Sequence, residues 1–233
     1  MKNNKIDFRL EVVKKDAKAV VYLAGDIVDE RPKDWWTGEL EEGDYITPKE
    51  VREIFDEIKE DEIELHINSY GGSVFASVAI FNYLKSLDKT ITTVNDGICA
   101  SGASLIFMAG EKRIMPENTM LMIHRASAFV WGNCKELREQ AGILEKLDNS
   151  TVMANYKNHF KGTDDELMEL IDKETWLSAE ECFENGFCTE VKKFEEPVNE
   201  PKEKDKPEEL EEVLNQGIKL MRNFANLKFK ETK

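Results

Sequence analysis

Two glycine-rich turns, each between a strand-like and a helix-like segment, constrain the fold of this chain more than any other feature. The first, Asn68-Ser69-Tyr70-Gly71-Gly72-Ser73, follows alternating apolar and polar residues at 62–67 and precedes apolar residues at helical spacing. The second is Gly97-Ile98-Cys99-Ala100-Ser101-Gly102-Ala103. A strand-like segment at 90–94 precedes it, its first glycine ends a predicted turn at 95–97, and its last residues begin a predicted apolar helix at 100–109. Because alternation predicts strands and helical spacing predicts helices, the chain is predicted to belong to the α/β class.

The paired glycines of the first turn suit a site at which the backbone itself contacts a ligand. Gly71 and Gly72 have no side chain to keep a ligand away. Amide N–H groups that point outward from such a turn stabilise an oxyanion or an extended peptide. A simple turn that requires positive φ explains the same two residues equally well, so the segment alone leaves both interpretations open.

Ser101 and His124 are the candidate nucleophile and base. Ser101 is predicted at a helix N-terminus, where unpaired amides and the positive end of the helix dipole favour an alkoxide. An isolated Ala-Ser-Gly-Ala more often caps or packs, and the segment is not a Gly-x-Ser-x-Gly elbow. His124 follows the apolar run Met120-Leu121-Met122-Ile123, so a strand end would hold its ring toward a cleft. The other two histidines, His66 and His159, are predicted to be structural.

Four blocks of sequence, taken in order, point to a family. They are Ile67-Asn68-Ser69-Tyr70-Gly71-Gly72-Ser73-Val74, Gly97-Ile98-Cys99-Ala100-Ser101-Gly102-Ala103, Met122-Ile123-His124 and Thr175-Trp176-Leu177-Ser178-Ala179-Glu180-Glu181. Together they resemble the Clp protease proteolytic subunit and, more narrowly, its phage and prophage relatives, the head-maturation proteases. The resemblance extends over residues 18–192 and implies a serine peptidase on the ClpP/crotonase-like fold, in which repeated ββα units form a spiral with a long handle helix.

The resemblance implies a Ser-His-acid triad. Ser101 matches the nucleophile and His124 matches the general base that takes its proton. In the family an Asp lies two residues before the aromatic residue of the last block, and this chain has Glu174 there. A Glu orients an imidazolium as an Asp does, although its extra methylene changes the reach. Asp172 is the alternative third member.

The resemblance also implies roles for backbone groups. The N–H groups of Gly71 and Gly102 match the oxyanion hole, and Gly71-Gly72-Ser73-Val74 matches the segment that pairs with substrate as an added strand. Two positions depart from the family pattern: Tyr70 replaces the usual Pro, and Gly102 replaces the Met that commonly follows the nucleophile. Neither change removes a catalytic atom, because the oxyanion donors are main-chain groups. Both departures favour a divergent subfamily over a housekeeping enzyme.

Composition excludes several classes of partner and cofactor. The net charge is −15 at pH 7 without a concentrated basic face, so nucleic acid is not a predicted partner. The sequence has neither an apolar stretch of membrane-spanning length nor the apolar core of a signal peptide, which predicts a cytoplasmic protein, in the host cytoplasm if a phage or prophage encodes it. The four cysteines form no Cys-x-x-Cys pair and have no histidines at metal-site spacing, so zinc is not predicted, and Cys99 is predicted to be a buried thiol. A serine endopeptidase of the implied type requires no metal or organic cofactor.

The chain is predicted to contain four regions. Residues 1–17 form an N-terminal segment, 18–194 the peptidase domain, 195–209 a charged linker containing prolines, and 210–233 an amphipathic tail, either docked or disordered. Within the domain, an apolar stripe predicts one long charged helix from Cys134 to about Phe160, which corresponds to the handle. Trp35-Trp36 are predicted to pack under a neighbouring helix, with a docking surface as the alternative.

The sequence therefore predicts an ATP-independent serine endopeptidase that processes scaffold or capsid proteins during phage head maturation. The resemblance implies a homo-oligomeric ring, either a heptamer or stacked heptamers. Three alternatives stay open: a cellular ClpP paralogue that works with an ATP-dependent unfoldase, a crotonase-like acyl-CoA enzyme, and a catalytically silent ring subunit.

Overall fold

The computed structural model describes the backbone of residues 10–15 and 18–194, and the side chains of residues 18–194. The predicted linker at 195–209 and the predicted tail at 210–233 lie outside the described residues, as do residues 1–9, 16 and 17 of the N-terminal segment. Residues 10–15 of that segment form a strand.

An eight-stranded mixed sheet forms the centre of the described part of the chain. Its main path, in spatial order, is β1 (Leu10–Lys15), β2 (Lys18–Ala24), β5 (Glu62–Ser69), β6 (Thr90–Ala100), β7 (Lys112–Pro116) and β10 (Glu190–Lys192). β8 (Met120–Ile123) branches from β6 and pairs with β9 (Thr175–Ser178), while β3 (Asp26–Ile27) and β4 (Tyr45–Ile46) form a separate pair. The pairs are parallel except β1 with β2 and β8 with β9. The parallel strands with helices between them confirm the predicted α/β class.

Helices connect the strands. In chain order they are α1 (Pro48–Glu57), α2 (Val74–Ser86), α3 (Gly102–Phe107), α4 (Cys134–Leu147), α5 (Met153–Lys157), α6 (Asp164–Asp172) and α7 (Ala179–Asn185). A π-helical turn, Asp148–Val152, separates α4 from α5. The predicted long helix from Cys134 to about Phe160 is therefore present as a helical run that reaches Lys157 and contains a π-bulge. The bulge begins at Asp148, whose buried carboxylate binds groups outside the helix.

Local sequence signals set several helix ends. Thr47 and Glu50 form a capping box at the start of α1, with Pro48 as its first residue. Ser178 and Glu181 form the same box at the start of α7. That helix ends at Gly186, whose φ of 88° lies in the left-handed region that glycine adopts without strain.

The hydrophobic core joins the inner strands to the helices that cover them. Burial alternates along β5, where Ile63, Leu65 and Ile67 are buried. The helices contribute large side chains to the same cluster, including fully buried Phe107 of α3 and Tyr156 of α5. Each such aliphatic or aromatic side chain stabilises the fold by about 1.5–3 kcal/mol relative to an exposed one.

The structure corrects the turn predicted at residues 95–97, because β6 continues through this segment to Ala100. Asn95 is fully buried, and its amide replaces backbone hydrogen bonds that a turn would have supplied. Its Nδ2 donates to the Met120 carbonyl at 2.8 Å, and its Oδ1 accepts the Gly97 N–H at 3.1 Å. The strand therefore passes a local irregularity without reversing.

The structure also corrects the prediction that two tryptophans pack under a helix. Trp35 and Trp36 are 86% and 80% exposed, with ring centroids 5.2 Å apart. A tight turn holds them there, since the Asp34 carboxylate accepts the N–H groups of Trp36 and Thr37 at 2.9 and 2.6 Å.

Two histidines outside the candidate site lie in opposite electrostatic surroundings. The ring of His66 bonds Asp96 at 2.6 Å and Glu64 at 2.9 Å, one carboxylate on each nitrogen. Burial alone would lower the pKa of His66, but the two carboxylates together raise it above 6.5. The pKa of His159 is lowered to about 4, first by burial and then by Arg113 and Lys85.

We predict that these histidines affect stability with opposite pH dependence. The contribution of His66 is fully present below its unfolded-state pKa of about 6.5 and is lost as pH rises through its higher folded-state pKa. Wild type loses stability through His159 as pH falls from about 6.5 toward 4, because the unfolded chain takes up the proton first. Thermal denaturation of His159→Gln should show a stability difference from wild type that changes between about pH 4 and 6.5, whereas that of His66→Gln should change only above about pH 6.5 and in the opposite direction. Parallel changes would contradict the assignment.

Candidate active site

The end of β6 brings Ser101 and His124 together. The last residues of β6 pair in parallel with β8, with Ala100 opposite Met122. Just past this pairing, the Ser101 N–H donates to the Met122 carbonyl at 2.9 Å. The His124 Nε2 then lies 2.7 Å from the Ser101 Oγ, so the structure brings the predicted nucleophile and base into hydrogen-bond contact. An unprotonated Nε2 in this position can accept the hydroxyl proton.

Ser101 has a strained backbone at the start of α3. Its φ of 52° and ψ of −124° are rare for a residue with a side chain and cost about 1–3 kcal/mol. The Ser104 hydroxyl donates to the Ser101 carbonyl at 2.5 Å and lies 2.6 Å from the Tyr156 hydroxyl. Because Ser104 has one hydroxyl proton, Tyr156 is the donor in the second bond. Burial raises the pKa of Tyr156, which keeps it protonated for this role.

The two predicted oxyanion donors differ in their hydrogen bonding. The Gly71 N–H already donates to the Ser69 Oγ at 3.0 Å, so it is occupied in this structure. The Gly72 N–H has no acceptor within residues 18–194 and is the available amide of the glycine pair. Gly102 is the first residue of α3, where the N–H has no partner within the helix. Gly72 and Gly102 therefore provide free amides beside Ser101.

The predicted substrate-pairing segment 71–74 is only partly available. Ile27 already pairs with one edge of this segment, because its N–H donates to the Gly71 carbonyl at 2.8 Å and its carbonyl accepts the Ser73 N–H at 2.7 Å. Ser73 caps α2, and Val74 is the first residue of that helix. Gly72 is left with a free N–H and carbonyl on the opposite edge, so an added strand could pair through Gly72 but not along the whole segment.

The pairing of β8 with β9 brings Glu174 and His124 to adjacent strand ends. In this antiparallel pair Ile123 lies opposite Thr175, and His124 and Glu174 are the next residues beyond the paired ends. Within the described residues, the exposed Glu174 carboxylate has no hydrogen bond or ion pair, and His124 has one side-chain partner, Ser101. The role of Glu174 as the third triad member therefore stays a prediction.

Arg125 and Asp148 lie beside the pair and were missed by the sequence reasoning. The Arg125 Nε donates to the Asp172 Oδ1 at 2.5 Å, and its Nη1 donates to the Asp148 Oδ2 at 3.1 Å. Asp172, the alternative third member, is thus held by an arginine instead of by His124. An arginine directly after the candidate base was visible in the sequence, but its partners lie 23 and 47 residues away.

A cavity of about 420 Å³ opens beside Ser101 and His124. Its walls include the apolar side chains of Phe75, Leu144 and Val152. A second groove, of about 560 Å³, lies along residues 26–30 and 70–73. Apolar walls next to a reactive hydroxyl suit an apolar side chain of a bound substrate.

Other features of the described residues bear on the predicted chemistry. No three His, Cys, Asp or Glu side chains within the described part of the chain are grouped to hold a metal ion. Burial raises the pKa of the Cys99 thiol, which makes it a poor nucleophile. Among the helices described, none has the length and apolar character needed to cross a membrane.

Comparisons of the chain with a protein-family model and with individual known proteins all point to Clp proteases. Residues 54–195 match the Clp protease family. The ATP-dependent Clp protease proteolytic subunit of Deinococcus radiodurans is 31% identical over 134 residues, which is 57% of this chain and 65% of that protein. The proteolytic subunit 2 of Tropheryma whipplei is 31% identical over 140 residues, covering 59% of this chain and 76% of that protein. The matched segment thus spans just under two thirds of the Deinococcus protein.

We predict that adding one methyl group at Gly72 disrupts the site, whereas adding one at Gly142 does not. A Cβ at Gly72 would lie 2.0 Å from the Ile27 carbonyl oxygen, at a φ of 142°. Gly72→Ala should therefore lose about 1–3 kcal/mol of unfolding free energy and most of the reactivity of Ser101 toward a fluorophosphonate.

Gly142 is the matched control, because a Cβ there meets no atom within 4 Å. Gly142→Ala, inside α4, should gain about 0.5–1 kcal/mol and keep wild-type reactivity. Chemical denaturation and labelling rates measure both quantities. Equal losses in the two variants would contradict the assigned role of Gly72.

Proposed function

The chain belongs to the Clp protease family, and from this premise we propose that it is a serine endopeptidase that cleaves peptide bonds through an acyl-enzyme on Ser101. The observation that carries the proposal is the 2.7 Å contact between the His124 Nε2 and the Ser101 Oγ. A crotonase-like acyl-CoA enzyme would have no use for this pair, because paired backbone amides alone stabilise an enolate.

Acylation begins when His124 takes the hydroxyl proton as the Ser101 Oγ attacks the scissile carbonyl. The carbonyl oxygen becomes an oxyanion that accepts hydrogen bonds from the N–H groups of Gly102 and Gly72. Removing one such donor from a serine peptidase typically costs a factor of about 10²–10³ in rate. His124 then gives its proton to the leaving amine, and a water molecule attacks the acyl-enzyme by the same route. Glu174 would orient the imidazolium from the facing strand end.

The substrate we propose is an extended polypeptide with an apolar side chain next to the scissile bond. The free carbonyl of Gly72 supports main-chain pairing with an added strand, because the Gly72 N–H is assigned to the oxyanion. The cavity beside Ser101, with Leu144 and Val152 in its walls, supports the apolar preference.

We propose that the protein assembles as a homo-oligomeric ring, a heptamer or stacked heptamers. The family resemblance suggests this arrangement, and the exposed aromatic side chains that follow His124 support a surface covered by other copies. Phe129 is fully exposed and Trp131 is 96% exposed.

The finer proposal is ATP-independent processing of scaffold or capsid proteins in the host cytoplasm during phage head maturation. Its support is the pair of departures at Tyr70 and Gly102 from the cellular pattern. A cellular paralogue is favoured by a different observation, namely that the relatives are named as subunits of ATP-dependent Clp proteases.

We predict that a fluorophosphonate labels Ser101 and that labelling is lost in Ser101→Ala and His124→Ala. Glu174→Gln should reduce hydrolysis of a leucine-containing peptide by about 100-fold or more, whereas Asp172→Asn should cause a smaller loss. Intact-mass spectrometry and initial rates measure these effects. An assembled protein that takes no label would favour the silent ring subunit.

The proposed preference for an apolar side chain is tested with a matched peptide that has aspartate in place of leucine. This peptide should be cut at least about tenfold more slowly.

We predict that the purified protein cleaves assembled head proteins without ATP. The measurement compares cleavage of scaffold and capsid assemblies with degradation of a stably folded protein, each with and without an unfoldase and ATP. The Ser101→Ala variant controls for contaminating peptidases. Activity that requires the unfoldase and ATP on every substrate would instead establish the cellular paralogue.

A further inference from the structure

Arg125 joins the segment that carries the base to two other parts of the chain. Its guanidinium donates to Asp172 at 2.5 Å and to Asp148 at 3.1 Å. Asp148 begins the π-helical turn and Asp172 ends α6. The Arg125 side chain therefore bridges two elements that are both distant from His124 in the sequence. The two hydrogen bonds use different guanidinium nitrogens, which fixes the plane of the group.

The contact with Asp148 is the buried half of this bridge. The Asp148 side chain is 4% exposed, and a carboxylate so buried stays charged only when it is paired and hydrogen-bonded. Both donors come from the residues directly after the base: the guanidinium of Arg125, and the Ala126 N–H at 2.8 Å. Asp148 therefore anchors the backbone that leaves His124.

The contact with Asp172 is the exposed half, and it reaches the turn that carries the predicted acid. Asp172 lies two residues before Glu174, and its side chain is 47% exposed. The Glu174 N–H donates to the Ile171 carbonyl at 3.2 Å, which closes the turn around these residues. A shift of Asp172 would therefore move Glu174 relative to His124.

We propose that Arg125 is a positioning residue for the peptidase reaction, which holds the backbone after His124 against the turn that carries Glu174. This inference rests on the proposed function. Arg125 also lines the cavity beside Ser101, but the role assigned to it acts through His124 and Glu174, because both of its hydrogen bonds are made to carboxylates of the chain itself.

Substitutions in this bridge also change the charge in the segments next to the base. Arg125 follows His124 directly, Asp148 begins the π-helical turn, Asp172 ends α6, and Glu174 lies in the turn after it. Removing the guanidinium leaves these carboxylates without their cation, which favours the imidazolium. Removing the charge of Asp172 adds no cation but makes the cluster less negative, which disfavours the imidazolium.

The test is the pH dependence of peptide hydrolysis and of fluorophosphonate labelling in the full-length protein. Arg125→Gln should reduce kcat by roughly 10- to 100-fold with little change in KM, and should move the acidic limb of the rate profile to higher pH by at least about 0.3 unit. Asp172→Asn, a change at an exposed carboxylate, should move the same limb to lower pH. In Arg125→Lys the acidic limb should stay at its wild-type pH, because the positive charge is kept. The rate should not return to the wild-type value, because a lysine cannot form the bidentate contact with the two carboxylates.

Arg138→Gln is the matched control, because Arg138 is exposed on α4 and has no ion pair among the described residues. It should behave as wild type. Opposite shifts for Arg125→Gln and Asp172→Asn support the proposal. An activity loss that follows melting temperature with an unchanged pH profile, or a loss no greater than in Arg138→Gln, overturns it. Absence of labelling in the wild type overturns the proposed function itself, and this inference with it.

Discussion

The parallel pairing of the last three residues of β6 with β8 is the constraint on which the rest of the site depends. β6 is long enough to pair with β7 near its start, through residues 92–94, and with β8 near its end, through residues 98–100. This fork brings the ends of β6 and β8 to one edge of the sheet. The reactive pair then needs no long loop to meet, because Ser101 bonds the β8 backbone directly and His124 follows the last residue of that strand.

The site also depends on how the strain at Ser101 is held. On the core side, the Ser104 hydroxyl binds the Ser101 carbonyl and is itself held by the Tyr156 hydroxyl. From the other side Gly71 approaches so closely that a Cβ there would lie 2.5 Å from the Ala100 carbonyl oxygen and 2.7 Å from the Gly102 nitrogen. The first glycine therefore serves close packing against the nucleophile turn, while the second provides the free amide.

Hydrophobic periodicity predicted most elements, and the family blocks predicted the contact between Ser101 and His124. Sequence reasoning failed where a distant contact of a side chain replaces a local signal. Asn95-Asp96-Gly97 has the composition of a turn, but the buried Asn95 amide binds the β8 backbone and carries the strand through. The bridge made by Arg125 depends on contacts with residues 23 and 47 positions away, which no periodic pattern in the sequence indicates.

Backbone strain gives an independent argument for the third triad member. Within the described residues, the non-glycine residues with positive φ are Ser101 at 52° and Glu174 at 51°. Such conformations cost about 1–3 kcal/mol and persist where the surroundings enforce them, which is common at active sites. Ser101 bonds His124 directly, and Glu174 directly precedes the strand that pairs with the strand leading to His124. Asp172 lies in the regular helix α6 and is already paired with Arg125. The strain at Glu174 and the pairing of Asp172 with Arg125 therefore both favour Glu174 as the third member.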